Sequence, residues 1–117
     1  METKSLSSVQ IFYPRLSREQ VIHELNRGVQ TLAKQLPLEL VSLFGSYARG
    51  NYTVASDIDL LVVYRGGKRR KDAYVAVRSA FDLPNLEPHV YCAEEYEQMK
   101  DVLSGMLKDS VAIYQAG

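Results

Sequence analysis

Apolar residues recur along this chain first at helical and then at strand spacing. From Ile22 they fall at Leu25, Val29, Leu32 and Leu36, spacings of three, four, three and four that keep one face of a helix apolar. Ser17-Arg18-Glu19-Gln20 ahead of them has the pattern of a capping box, and Pro37 marks the helix end. Leu38 to Phe44 then predicts a strand, broken by Gly45, Gly50 and the small polar residues between them. A second strand is predicted from Asp57 to Tyr64. Its side chains beyond Asp59 are apolar on both faces, as in a strand at the centre of a sheet. Arg65-Gly66-Gly67 ends it, and Lys68 to Phe81 predicts a helix with Ala73, Tyr74, Val77 and Phe81 inward, stopped by Asp82-Leu83-Pro84-Asn85. Leu86 to Cys92 predicts a third strand. Ala93 to about Leu107 predicts a helix with Glu94 and Glu95 at the positive end of its dipole, and Ser110 to Tyr114 a short apolar closing piece. Ahead of all these, residues 1–13 are expected to be a flexible or edge segment, in which Val9, Ile11 and Tyr13 form either a short edge strand or an interface.

The predicted order is α-β-β-α-β-α with a strand-like tail. It belongs to the α/β (α+β) class: a single domain over residues 1–117, with helices packed on one mixed sheet. A short loop joins the first two strands, so they should run antiparallel, with Gly45-Ser46 and Asp57 at one sheet edge. The helix between the second and third strands implies a right-handed parallel crossover, which brings the start of the third strand to that same edge.

Composition narrows the function classes. Hydrophobic side chains make up 46% of the 117 residues and charged ones 24%, enough for one core. Fourteen Lys and Arg balance fourteen Asp and Glu, so no net field draws nucleic acid or membrane to the whole molecule. The single cysteine, Cys92, excludes an internal disulfide. With neither a signal-like segment nor a membrane-length apolar run, the expected location is the cytoplasm.

Against this background, the two aspartates that open the second strand need a reason. Residues two apart on a strand share a face at about 7 Å, so Asp57 and Asp59 can converge while Ile58 enters the opposite layer. A divalent cation would relieve their repulsion, and magnesium favours one or two carboxylates plus substrate phosphate oxygens. The Gly45-Ser46 turn offers N–H groups and a hydroxyl of the kind that receive phosphate. A phosphoryl-transfer site needs a third carboxylate. Glu87, opening the third strand at the same edge, is the candidate metal ligand or proton acceptor, and His89 should face the same way.

The string GSYARGNYTVASDIDLLVV, with Gly45-Ser46, ten residues, then Asp57-Ile58-Asp59, closely resembles the signature of the DNA polymerase beta-type nucleotidyltransferase superfamily. In length and extent the chain looks like its smallest branch, the minimal nucleotidyltransferases. The strong match covers residues 43–63, and EPHVYCAEEYEQM fits more loosely. The resemblance implies that Gly45 and Ser46 hold the triphosphate, that Asp57 and Asp59 bind Mg2+, and that Glu87 stands where many members have aspartate and assists the acceptor hydroxyl. It further implies transfer of an NMP, AMP from ATP, to a hydroxyl on a partner protein such as a small helical HEPN-type toxin, with this chain as antitoxin. The alternative is a catalytically silent nucleotide-binding module that acts by binding its partner. A homo-oligomer is also compatible with the sequence.

Other residues carry two readings each. Arg49 either neutralises triphosphate charge or is a solvated turn residue. The run Arg65, Lys68, Arg69, Arg70 and Lys71 resembles a nucleic-acid patch, but at strand rise it lies roughly 20 Å from Asp57, so a solvated loop and helix start is the expectation. Tyr47 or Tyr52 could stack on a base or pack locally. Cys92 is expected to cap or pack the last helix, and His23 to lie at the surface.

Overall fold

The computed structural model describes residues 16–116. The first helix, α1 (Arg18–Gln35), starts at a complete capping box: Gln20 N–H donates to Ser17 Oγ at 3.1 Å, and Ser17 N–H donates to Gln20 Oε1 at 2.7 Å. Its buried stripe is Val21, Leu25, Val29 and Leu32, continued by Leu36. Val21, rather than the expected Ile22, opens that stripe, because around the helix it lies between the buried Gly28 and Leu32, whereas Ile22 falls at the far margin of the arc and is half-buried.

The strands β1 (Leu38–Phe44), β2 (Ile58–Tyr64), β3 (Leu86–Cys92) and β4 (Val111–Gln115) form one mixed sheet in the order β3-β2-β1-β4. β1 is antiparallel to β2 and to β4, whereas β2 and β3 are parallel, as the connections require. The expected α-β-β-α-β-α order with a strand-like tail therefore holds, with one addition. A four-residue helix, α2 (Ser46–Arg49), follows Gly45, while the expected tail is β4, paired with β1. α3 (Arg70–Ala80) and α4 (Ala93–Met106) complete the fold. The edge strand expected around Val9, Ile11 and Tyr13 lies outside the described residues. Among the described residues, no helix is long and apolar enough to cross a membrane.

Period-two alternation divides the core into two layers. Leu60, Val62 and Tyr64 of β2 pack with α1 and α3, while Leu61 and Val63 pack with Phe44 and with Tyr96 and Met106 of α4. α1 approaches α3 closely at Gly28, where an added Cβ would lie 2.3 Å from the Phe81 ring. Tyr74 does not face inward as expected; it is 41% exposed. Ala73, Ala76 and Val77 form the buried face of α3, and a residue 100° round from Ala73 falls outside that narrow stripe.

Candidate functional site

The two layers end differently at the edge where β2 and β3 begin. Asp59 registers with Phe44 on one side and Glu87 on the other, and in the next row on the same face Leu61 registers with Ser42 and His89. This is the α4 side of the sheet. Below α4 it is apolar, and at its open end it becomes Asp57, Asp59, Glu87 and His89. Ile58, between the aspartates, is buried in the opposite layer. Asp57 and Glu87 are exposed, and Asp59 is half-buried.

Local turns deliver these residues. Thr53 N–H donates to Ser56 Oγ at 2.8 Å and Ala55 N–H to Thr53 Oγ1 at 3.2 Å, closing the loop that leads to Asp57. Asn85, at a φ of 61°, turns the chain into β3, and its carbonyl accepts the Ile58 N–H at 2.8 Å, locking the start of β2 to that of β3.

Asp59 lies close against Gly45. Gly45 has a φ of 77°, and a Cβ there would lie 2.3 Å from Asp59 Oδ2. Only glycine satisfies both demands. The carboxylate thus rests against the turn that starts α2, where the first N–H groups have no intrahelical acceptor. α2 is too short to hold itself and is tethered to the start of α1. Arg18 Nε donates to Ala48 O at 3.2 Å, Tyr47 OH donates to Leu16 O at 3.0 Å, and Arg18 N–H donates to Tyr52 OH at 3.1 Å. The Tyr47 and Tyr52 rings stack at 4.2 Å, so both pack locally rather than standing open for a base.

Electrostatics single out Asp59. Burial is the largest influence and raises its pKa above 3.8; the charges of Asp57 and Glu87 push the same way, and His89 opposes them. His89 Nε2 lies 3.9 Å from Asp59 Oδ1, an electrostatic contact too long for a hydrogen bond. Mutually repelling carboxylates beside a glycine-only turn suit a cation shared with an anionic ligand. Among the described residues, no three His, Cys, Asp or Glu side chains already converge as a metal cage. The donor set nevertheless fits magnesium, which takes few protein carboxylates and draws other oxygens from substrate and water. Asp57, Asp59 and Glu87 are the residues that could hold it.

Arg49 is not drawn into the acidic row. It is exposed at the end of α2 and lines a shallow surface pocket with Arg18, Asp109 and Val111. The basic run lies at the opposite end of β2, as its spacing from Asp57 requires, and much of it is paired: Arg65 with Glu39 at 3.3 Å, Arg69 with Asp72 at 3.4 Å, and Arg70 with Glu95. Cys92 is the N-cap of α4, and its N–H donates to Glu95 Oε1 at 3.1 Å. Arg18 was not legible as part of the site. It lies 30 positions from its partner Ala48, with no local signal in the sequence.

A family model for the nucleotidyltransferase domain matches residues 22–114, from α1 to β4. A putative protein adenylyltransferase of Methanocaldococcus jannaschii is 41% identical over 46 residues, which are 39% of this chain and 46% of that protein; the aligned stretch spans less than half the relative's length. A solved structure of a putative nucleotidyltransferase from Sulfolobus solfataricus superimposes with a TM-score of 0.62 at 27% identity, over 84% of this chain and 83% of that one. A toxin-antitoxin structure with AMP-PNP shares the fold, with a TM-score of 0.55 at 22% identity over 79% of this chain and 73% of that one. The family pattern thus runs through the whole sheet and takes in both the Gly45 turn and the acidic row, and the chain belongs to the nucleotidyltransferase domain family.

Proposed function

We propose that this nucleotidyltransferase moves AMP from ATP to a hydroxyl group on a partner protein, with magnesium as its metal. The observation that carries this reading is the contact of the Asp59 carboxylate with Gly45, in a row that continues to Glu87. Ser46 and the first N–H groups of α2 bind phosphate oxygens, and Arg49 adds positive charge from the end of that helix. Asp57 and Asp59 hold the metal, with Glu87 as a third ligand. When bound, the metal supplies charge that offsets what develops on the phosphate oxygens. Glu87 also takes the proton of the acceptor hydroxyl. That oxygen forms a bond to the α-phosphorus as the bond to the β-phosphate oxygen breaks, and pyrophosphate leaves with the displaced electron pair. Adenine as the base is supported by the name of the Methanocaldococcus jannaschii relative.

The likeness of the fold to a toxin-antitoxin structure supports an acceptor hydroxyl brought by a second chain. The resemblance to minimal nucleotidyltransferases makes a small helical HEPN-type toxin the proposed partner, with this chain as its antitoxin. Transfer of label from α-labelled ATP to a co-expressed partner tests the reaction. The wild type should label it, and Asp57→Asn and Asp59→Asn should not; equal labelling by all three would overturn the mechanism.

A second reading is a binding module that holds nucleotide and partner without chemistry. The exposure of Glu87, which stands where many members of the resembling family have aspartate, favours it. Intact mass of the co-purified partner separates the two readings. A mass increase of one AMP establishes transfer, and an unmodified partner held equally by wild type and Asp57→Asn establishes binding alone.

A further inference from the structure

Among the described residues, His89 Nε2 is the one buried side-chain nitrogen or oxygen without a hydrogen-bond partner. A buried polar atom left unsatisfied carries the full desolvation cost of that group, so its place here calls for a reason. The ring is well placed. Phe44 packs against it with centroids 5.2 Å apart and planes tilted by 59°, and its backbone is set by the parallel register of β3 on β2. Across the strand pair the ring faces Asp59, whose two oxygens have different neighbours. Oδ2 stands over the Gly45 α-carbon, and Oδ1 faces Nε2 at 3.9 Å.

Resting on the metal-dependent reading above, we infer that His89 is a positioning residue that orients the Asp59 carboxylate. Nε2–H holds Oδ1, which leaves Oδ2 directed at the Gly45-Ser46 turn and the ligand there. The present separation exceeds a hydrogen bond by about 0.7 Å, against the usual upper limit near 3.2 Å. A small rotation of the short Asp59 side chain closes it, whereas Phe44 and the sheet register restrain the ring. The side chains are comparably sheltered, 33% exposed for His89 and 28% for Asp59, so the contact is neither fully solvated nor sealed. Its sign is also right, since His89 opposes the repulsion that Asp57 and Glu87 impose on Asp59. Without this restraint the carboxylate would turn away from its acidic neighbours, and its orientation toward the turn would be lost.

The test is calorimetric binding of Mn2+ to the intact chain in the presence of α,β-methylene-ATP, which supports no transfer. His89→Phe should weaken Mn2+ binding by about 10-fold, the lower end for losing a residue that orients a metal ligand. His89→Gln, which keeps an amide donor, should recover most of it. Because His89 acts through Asp59, the double variant His89→Phe/Asp59→Asn should bind no more weakly than Asp59→Asn alone. Wild-type affinity in both His89 variants, or additive losses in the double variant, overturns the inference while leaving the metal-dependent reading intact. A wild type that binds no Mn2+ with the nucleotide overturns that reading, and this inference with it. Thermal melting of each variant identifies a loss due to misfolding; if His89→Phe misfolds, His89→Asn against His89→Leu makes the same comparison.

Discussion

Gly45 and Gly50 form a natural pair for testing the site, because both have a positive φ while their ψ values and their surroundings differ. Gly50, at φ 84° and ψ 7°, is left-handed, where alanine costs about 1–2 kcal/mol, whereas Gly45, at φ 77° and ψ −157°, lies in a region essentially confined to glycine, where alanine costs about 1–3 kcal/mol. A Cβ at Gly50 meets nothing within 4 Å, whereas one at Gly45 would stand 2.3 Å from Asp59 Oδ2. To restore an ordinary contact of about 3.4 Å the oxygen must retreat by about 1 Å. Since the clashing atom is the end of a side chain, the retreat costs little stability. It does displace a carboxylate at the reacting centre, and an error of that size costs on the order of 100-fold in rate. Urea denaturation should therefore show a loss for Gly45→Ala at least as large as that for Gly50→Ala. Transfer of α-labelled AMP per folded molecule should fall about 100-fold for Gly45→Ala alone. Equal activity of the two variants, whether both active or both dead, would refute the assignment of the Gly45–Asp59 contact to the chemistry.

Further outcomes are expected elsewhere in the molecule. Burial first, then the charges of Asp57 and Glu87, raise the Asp59 pKa above 3.8, so the folded state binds that proton more tightly than the unfolded chain. Ionised Asp59 therefore subtracts stability as pH climbs from 3.8 through the raised value. In chelator, Asp59→Asn should be more stable than wild type at pH 7 and indistinguishable below pH 3.8; a less stable variant at pH 7 contradicts this. Gly28→Ala drives a methyl into the Phe81 ring and should lower stability by about 1–3 kcal/mol in urea while sparing transfer per folded molecule. Glu95→Ala removes the acceptor of the Cys92 N–H and the partner of Arg70, for a loss of about 0.5–2 kcal/mol at pH 7. The Cys92 N–H, then Arg70, hold the Glu95 pKa below 4.5, so the deficit should shrink as pH falls below 4.5; a constant deficit in urea melts would show that it is not electrostatic.

Much of the architecture was legible because it rests on local rules. The capping box at Ser17, the two-sided apolar run of β2 and the turn at Asp82-Leu83-Pro84-Asn85 each express a steric or hydrogen-bonding preference of neighbouring residues. Antiparallel pairing followed from a short loop and parallel pairing from the helix between β2 and β3, which together placed Asp57, Asp59 and Glu87 at one edge in advance. Less legible were features that depend on phase or distance. Tyr74 lies at the margin of an apolar stripe, where a rotation of one residue decides its exposure, and α2 is too short for any periodicity to show.

The sequence by itself determined the element types, the sheet edge that carries the acidic residues, and the Gly-Ser and Asp-any-Asp spacing, because side-chain alternation and turn chemistry act within a few residues. Only the tertiary structure decided that Asp59 rests on Gly45, that Arg18 and Tyr52 fasten α2 to α1, and that His89 faces one carboxylate oxygen. Those contacts join residues from 14 to 34 positions apart across strands and helices, and their ångström-scale geometry is set by how the layers close on one another.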